Sequence, residues 1–169
     1  MKKKTLSHLF DKSLKKVDDE IYKRLNHNVP LLSKIGSHLI KAKGKRLRPI
    51  LTLAMAAQLN DFSKNPILLA AAVEFIHTAT LLHDDVVDES DYRRGIKTAN
   101  IVWGNEACVL AGDFLFAQAS WHLANLDNVN VVKLLSRVIM DLAEGEIKQN
   151  LNRFDSGQTF SKYINKSYC

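Results

Sequence analysis

Residues 73–95 decide how this chain folds and which chemistry it carries: Val73-Glu-Phe-Ile-His77-Thr-Ala-Thr-Leu-Leu-His83-Asp84-Asp85-Val-Val-Asp88-Glu89-Ser-Asp91-Tyr-Arg93-Arg94-Gly95. At about 100° per residue, Asp84 and Asp88 stand about 40° apart on a helix, and His77 lies two turns earlier on the same stripe. Asp85 sits beside them, and Phe75, Ile76, Leu81, Leu82, Val86 and Val87 surround the cluster. Carboxylates crowded at the end of an apolar helix repel one another, and the helix dipole disfavours negative charge there. A solvated acidic helix end is the plain alternative. A divalent cation answers the crowding better, and oxygen ligands without Cys or paired His point to Mg²⁺ rather than Zn²⁺.

Mg²⁺ is usually held by one or two carboxylates, several waters and substrate phosphates. The sequence offers partners for such phosphates. Arg93-Arg94 follows the carboxylates directly, and guanidinium forks suit bidentate phosphate contacts. Taken alone, that pair could simply bridge to Glu89 and Asp91. A second basic group, Lys45, Arg46 and Arg48 in a Gly-containing loop, argues instead for two phosphate sites sharing one cavity.

Outward from this stretch the pattern is helical. Leu6, Leu9, Phe10, Leu14, Val17, Ile21 and Leu25 predict a helix over 5–27, and Asn28-Val-Pro30 breaks it. A second helix is expected over 31–42, with Leu31, Leu32, Ile35, Leu39 and Ile40 on one side. Pro49 reads as the first position of the helix Ile50–Ala57, and Asn65-Pro66 as the cap and first position of the helix running to Asp88. Helices at 105–125, 128–150 and from Thr159 complete the chain. Ile101-Val-Trp103 is too short to count as a strand and no alternating run appears, so the fold class is all-α.

The 169 residues suit one ordinary domain with a real core, and only 7 Gly and 3 Pro favour long helices. With 46% hydrophobic and 25% charged residues, the chain is not disordered. Cys108 and Cys169 build neither a disulfide framework nor a CxxC pair, so a reducing, cytoplasmic setting is expected. The basic Met1-Lys-Lys-Lys start leads into no apolar signal segment, and no run approaches a membrane span. Residues 1–48 hold 14 basic and 4 acidic side chains, a net +10, while the remainder nets −4. Such a basic segment fits an anion-binding surface or a solvated amphipathic face. No basic helix with base-reading residues appears, which argues against a nucleic-acid partner; any membrane contact is peripheral.

Four blocks in order resemble the trans-isoprenyl diphosphate synthases, or polyprenyl synthetases: Gly44-Lys45-Arg46-Leu47-Arg48-Pro49; Glu74-Phe-Ile-His77; Leu82-His83-Asp84-Asp85-Val-Val-Asp88 with Arg93-Arg94-Gly95; and Gly112-Asp113-Phe114-Leu115. The stretch Ala143-Glu-Gly145-Glu146-Ile-Lys-Gln149 resembles the long-chain, octaprenyl diphosphate synthase type within that family. The resemblance implies the isoprenoid synthase helical bundle and chain extension of an allylic prenyl diphosphate by isopentenyl diphosphate, giving a long polyprenyl diphosphate of the quinone side-chain kind. It implies that Asp84 and Asp88 bind Mg²⁺ with Asp85 in support, and that Arg93 contacts the allylic diphosphate. Lys45, Arg48, His77 and Arg94 would hold isopentenyl diphosphate, and His83 would be structural or lie behind the metal site. The product would grow past Ala79 and Thr80, whose small side chains leave its path open. Full-length members form homodimers.

The sequence also departs from the family pattern. Lys43 replaces a Gly before the basic block, and Glu146 stands where many members have Gln. The family's second Asp-rich motif and its Lys-Thr pair have no counterpart after Asp88. The resemblance therefore implies that residues 1–169 are the N-terminal half of the domain, and a truncated polyprenyl synthetase domain is expected. The competing expectation is an inactive remnant or interaction subunit that acts only with a complementary chain.

Overall fold

The computed structural model describes residues 10–25, 28–41, 44–152, 157 and 159–167. It divides into a unit ending at Asp127 and a second unit from Asn128.

The first unit holds α1 (Asp11–Leu25), α2 (Pro30–Lys41), α3 (Leu47–Gln58), α4 (Asn65–Val87), α5 (Ala99–Trp103) and α6 (Asn105–Ala124); α1, α3, α5 and α6 pack on α4, and α2 lies against α1, α5 and α6. α6 lies most extensively on α4, with α3 and α1 on other sides. The α4 sequence explains this centrality: Ala70, Ala71, Ala72 and Ala79 are fully buried, letting neighbouring backbones approach, while Phe75 and Leu82 fill the space between. α4 is long and apolar enough to cross a membrane by length and composition, but 56% of its apolar window is buried inside this helical packing. α1 turns Val17, Ile21 and Leu25 inward, as its spacing requires. α2 buries Ile35, and a Cβ on its Gly36 would fall 2.8 Å from a Leu25 methyl, so glycine allows the two helices to touch.

The second unit comprises α7 (Val129–Leu151) and α8 (Phe160–Ser167). Asn128 caps α7, its Oδ1 accepting from Asn130 N–H at 3.1 Å and Val131 N–H at 3.4 Å. None of the described α7 residues is buried, and Leu134, Met140, Ile147 and Leu151 are all exposed.

The all-α expectation holds, with local corrections. Residues 5–9 and 26–27 of the first expected helix lie outside the described residues, as do Lys43 and the side chains of Leu39 and Ile40. Pro49 is the third residue of its helix rather than the first, and Asn65 opens α4 with Pro66 second. Both prolines still occupy the first turn, where a missing N–H costs no helical bond. Lys64, not Asn65, is the N-cap and makes no side-chain cap bond, while Ser63 Oγ accepts from Asn65 N–H at 3.2 Å. Residues 92–97, where no strand was expected, form a two-residue ladder between β1 (Tyr92–Arg93) and β2 (Ile96–Lys97). Its turn residues Arg94 and Gly95 both have positive φ, 52° and 81°, the signature of a type I′ turn. A two-residue strand carries no alternation, so the sequence pattern had no means to announce it. Ile101-Val-Trp103 belongs to the short helix α5.

Candidate functional site

The carboxylates stand where α4 runs out. Asp84 and Asp88 are one turn apart, joined by the Asp88 N–H to Asp84 carbonyl bond of 2.8 Å. Asp84 is half-buried and Asp88 exposed, whereas Asp85 turns inward and is 1% exposed. A buried carboxylate needs a cationic partner, and Arg93 supplies it: Nε donates to Asp85 Oδ1 at 2.8 Å, with Nη2 2.7 Å from the same oxygen. Asp85 also reaches Cys108 electrostatically. Burial first, and then this negative charge, push the Cys108 thiol up to about 11. Among the described residues, no group of three His, Cys, Asp or Glu side chains could by itself hold a metal. Asp84 and Asp88 place hard oxygen donors one turn apart at the helix end, a set that fits an ion completing its shell with water and phosphate.

The basic residues, far apart in sequence, act together on His77. His77 is half-buried two turns before Asp84. Burial chiefly holds its imidazole below the usual range, and the charges of Arg48, Arg94 and Arg93 reinforce this against the opposing effect of Glu74. All three arginines therefore act on one imidazole. The Arg94 Nη1 lies 3.3 Å from where a Cβ on Gly44 would sit, so the hairpin turn and the Gly44-Lys45-Arg46 segment meet. A Cβ there would press on the end of the Arg94 side chain. Lys45 and Arg48 are exposed on that segment and the first turn of α3.

Arg46 does not join this surface. It takes φ 50°, and its guanidinium pairs with buried Glu74 on α4 and with Asp18 on α1 at 3.1 Å. The two ion pairs hold a strained left-handed residue and fix the loop's departure from the core. Burial raises the Asp18 carboxyl above its ordinary value despite the charge of Arg46. Glu74 thus anchors the basic loop from beneath. The sequence signal for that was an acidic side chain on the apolar stripe of α4.

Ala79 is fully buried, and Thr80 half-buried, its hydroxyl donating to the His77 carbonyl at 2.9 Å. His83 packs on α6. Its Nε2–H donates to Val109 O at 3.2 Å, and its ring lies 5.7 Å from that of Phe116. A Cβ on Gly112 would fall 2.2 Å from that Nε2, which explains the glycine in Gly112-Asp113-Phe114-Leu115.

Three structural groups escaped the sequence reading. Thr98 and Asn100 are buried behind the hairpin; a Thr-x-Asn directly after a basic turn was the available signal. His122, fully buried on α6, lies 3.3 Å from Glu20 on α1. Burial opposes ionised Glu20, but the bond from Arg24 and the charges of His122, Arg24 and Lys23 outweigh it and hold its carboxyl below the ordinary value.

The described residues form an all-α core that presents paired carboxylates at one helix end, with arginines acting on a histidine two turns earlier. Comparison with known proteins narrows the class. Residues 29–169 match the family model described as polyprenyl synthetase. The chain is 49% identical over 161 residues to a prenyl transferase of Synechocystis, covering 94% of this chain and 50% of that protein. It is 40% identical over 163 residues to the octaprenyl diphosphate synthase of Haemophilus influenzae, covering 96% of this chain and 50% of that one. A crystal structure of a polyprenyl synthase from Caulobacter crescentus, complexed with calcium and isoprenyl diphosphate, superposes with a TM-score of 0.91 at 40% identity, covering 95% of this chain and 49% of that one. The chain belongs to the polyprenyl synthetase family. It spans about half the length of the curated relatives it matches.

Proposed function

We propose that this chain supplies the N-terminal part of a Mg²⁺-dependent prenyltransferase, one that joins isopentenyl diphosphate to an allylic diphosphate and builds a long-chain polyprenyl diphosphate of the quinone side-chain type. The observation that carries the reading is the hairpin at the acidic end of α4, which holds Arg93 on Asp85 and brings Arg94 against the Gly44 segment. Asp84 and Asp88 are the residues that would hold Mg²⁺, which when bound neutralises charge on the departing diphosphate. Arg93, kept in place by Asp85, adds positive charge on the allylic side. Lys45, Arg48, His77 and Arg94 bind the isopentenyl diphosphate, with Arg guanidinium groups matching phosphate oxygens. The buried apolar body of α4 excludes water from the reacting carbon, and Ala79 with Thr80 gives the growing chain its first floor. Pairing into a homodimer and a cytoplasmic location complete the proposal.

A second reading is that the chain works only with a complementary partner supplying the rest of the domain, or is inactive without it. The exposed apolar stripe Leu47, Leu51, Met55, Leu59 and Phe62 on and just after α3 favours it. Incorporation of labelled isopentenyl diphosphate, measured with Mg²⁺ for this chain alone and mixed with the C-terminal half of a relative, separates the two readings. Product from the chain alone refutes the dependence. Product only on mixing establishes it. Calorimetric titration of Asp84→Ala tests the metal assignment: Mg²⁺-dependent diphosphate binding is expected to disappear, and an unchanged isotherm would sink it.

A further inference from the structure

The hairpin bearing Arg93 and Arg94 is closed at its base by two buried side chains on the returning strand's continuation. Thr98, 2% exposed, donates its hydroxyl to Ser90 O at 2.6 Å and lies 3.1 Å from Asp91 O, while its N–H bonds Asp91 O at 3.0 Å. Asn100, 8% exposed on α5, directs its Nδ2 to two carbonyls, Asp85 O and Ser90 O, each at 3.3 Å. One amide therefore ties the last turn of α4 to the start of the hairpin. The α4 residue it grips is Asp85, whose carboxylate holds Arg93.

Stability does not account for this asparagine. Each carbonyl it bridges has another donor: Ser90 N–H bonds Asp85 O at 3.0 Å, and Thr98 Oγ1 bonds Ser90 O. Its own Oδ1 is buried without a hydrogen-bonding partner among the described residues. Burying an unmatched amide oxygen costs stability, and an apolar side chain of equal size avoids that cost. What the amide adds is geometric. It spans the segment whose length sets the distance from the Asp84/Asp88 rim to the two arginines.

We propose that Asn100, with Thr98, is a positioning residue that fixes Arg93 and Arg94 relative to the carboxylates of α4. The inference rests on the diphosphate-binding reading above, and two separate measurements keep their fates apart. The first is the exchange rate of the Arg93 Nε–H by NMR, which reports the Asp85–Arg93 grip whether or not any ligand binds. The second is the calorimetric affinity for inorganic diphosphate in the presence of Mg²⁺.

Asn100→Leu is expected to leave the melting temperature within the range of the parent chain. It should speed Arg93 Nε–H exchange and weaken diphosphate affinity about tenfold, the scale seen when groups behind a metal or substrate ligand are removed. Thr98→Ser keeps the hydroxyl and should preserve both values, whereas Thr98→Val should mimic Asn100→Leu. Leu68→Ala, a cavity in the core away from the hairpin, should lower the melting temperature and move neither value. Unchanged exchange in Asn100→Leu overturns the proposal. Loss of the fold in both Asn100→Leu and Thr98→Val overturns it as well, in favour of a purely structural clamp. If the parent chain binds no diphosphate, the site reading fails while the exchange rates still decide the positioning role.

Discussion

Asp85 and Arg93 join the buried interior of α4 to the hairpin at its end: Nε and Nη2 of the arginine both converge on Oδ1 of an aspartate that is 1% exposed. The middle carboxylate of the acidic stretch is thereby drawn away from the rim where Asp84 and Asp88 stand, and its job becomes holding a cation in place.

Removing the arginine leaves that carboxylate buried and unpaired. Arg93→Met is therefore expected to destabilise the fold by about 2–3 kcal/mol, somewhat under the loss from breaking a fully buried pair because Arg93 is partly exposed. Asp85→Asn should cost less, since a neutral amide tolerates burial better. Urea denaturation of both variants measures the difference, and an Arg93→Met chain as stable as the parent would contradict the pairing.

His77 should couple anion binding to proton uptake. Its imidazole is held below the ordinary 6.5 by burial and by the charges of Arg48, Arg94 and Arg93. Near pH 6 the unfolded chain binds a proton there more readily than the folded one, so folding stability falls as pH drops from 6.5 towards the depressed value. A bound diphosphate offsets the arginine charge and favours the imidazolium. Calorimetry at pH 6 in buffers of differing ionisation enthalpy should show net proton uptake on diphosphate binding, reduced in His77→Gln. Identical uptake in that variant would place the coupling elsewhere.

Gly112→Ala reverses the usual sign of a helix substitution. Alanine ordinarily gains about 1 kcal/mol over glycine inside a helix. Here its Cβ would fall 2.2 Å from His83 Nε2 and 2.6 Å from Cδ2, on a ring held between α4 and α6. A net loss of about 1–3 kcal/mol is expected from this overpacking. Combining it with His83→Ala should recover part of the loss, which thermal denaturation of the single and double variants reads directly.

Much of this was visible along the chain because it depends on local periodicity. The turn-by-turn placement of Asp84, Asp88 and His77 follows from helical geometry alone, as does the inward stripe Val17, Ile21, Leu25. Helix starts at Pro49 and Pro66 were legible to within two residues, since proline is tolerated throughout the first turn. The hairpin was not legible: its ladder is two residues long, below any period, and only its positive-φ turn at Arg94-Gly95 marks it.

By itself the sequence determined the all-α class, the acidic helix end, the basic residues on either side of it and the family they belong to, because each is written in residue type and short-range spacing. The tertiary structure alone decided how those charges are divided. Lys45, Arg46 and Arg48 look alike in sequence, yet Arg46 goes inward to Glu74 and Asp18 while Arg48 acts on His77. Asp84, Asp85 and Asp88 look alike as well, yet Asp85 is committed to Arg93. The physical reason is burial: which of several like charges must find a partner depends on the packing of α1, α4 and the hairpin, contacts that no local pattern encodes.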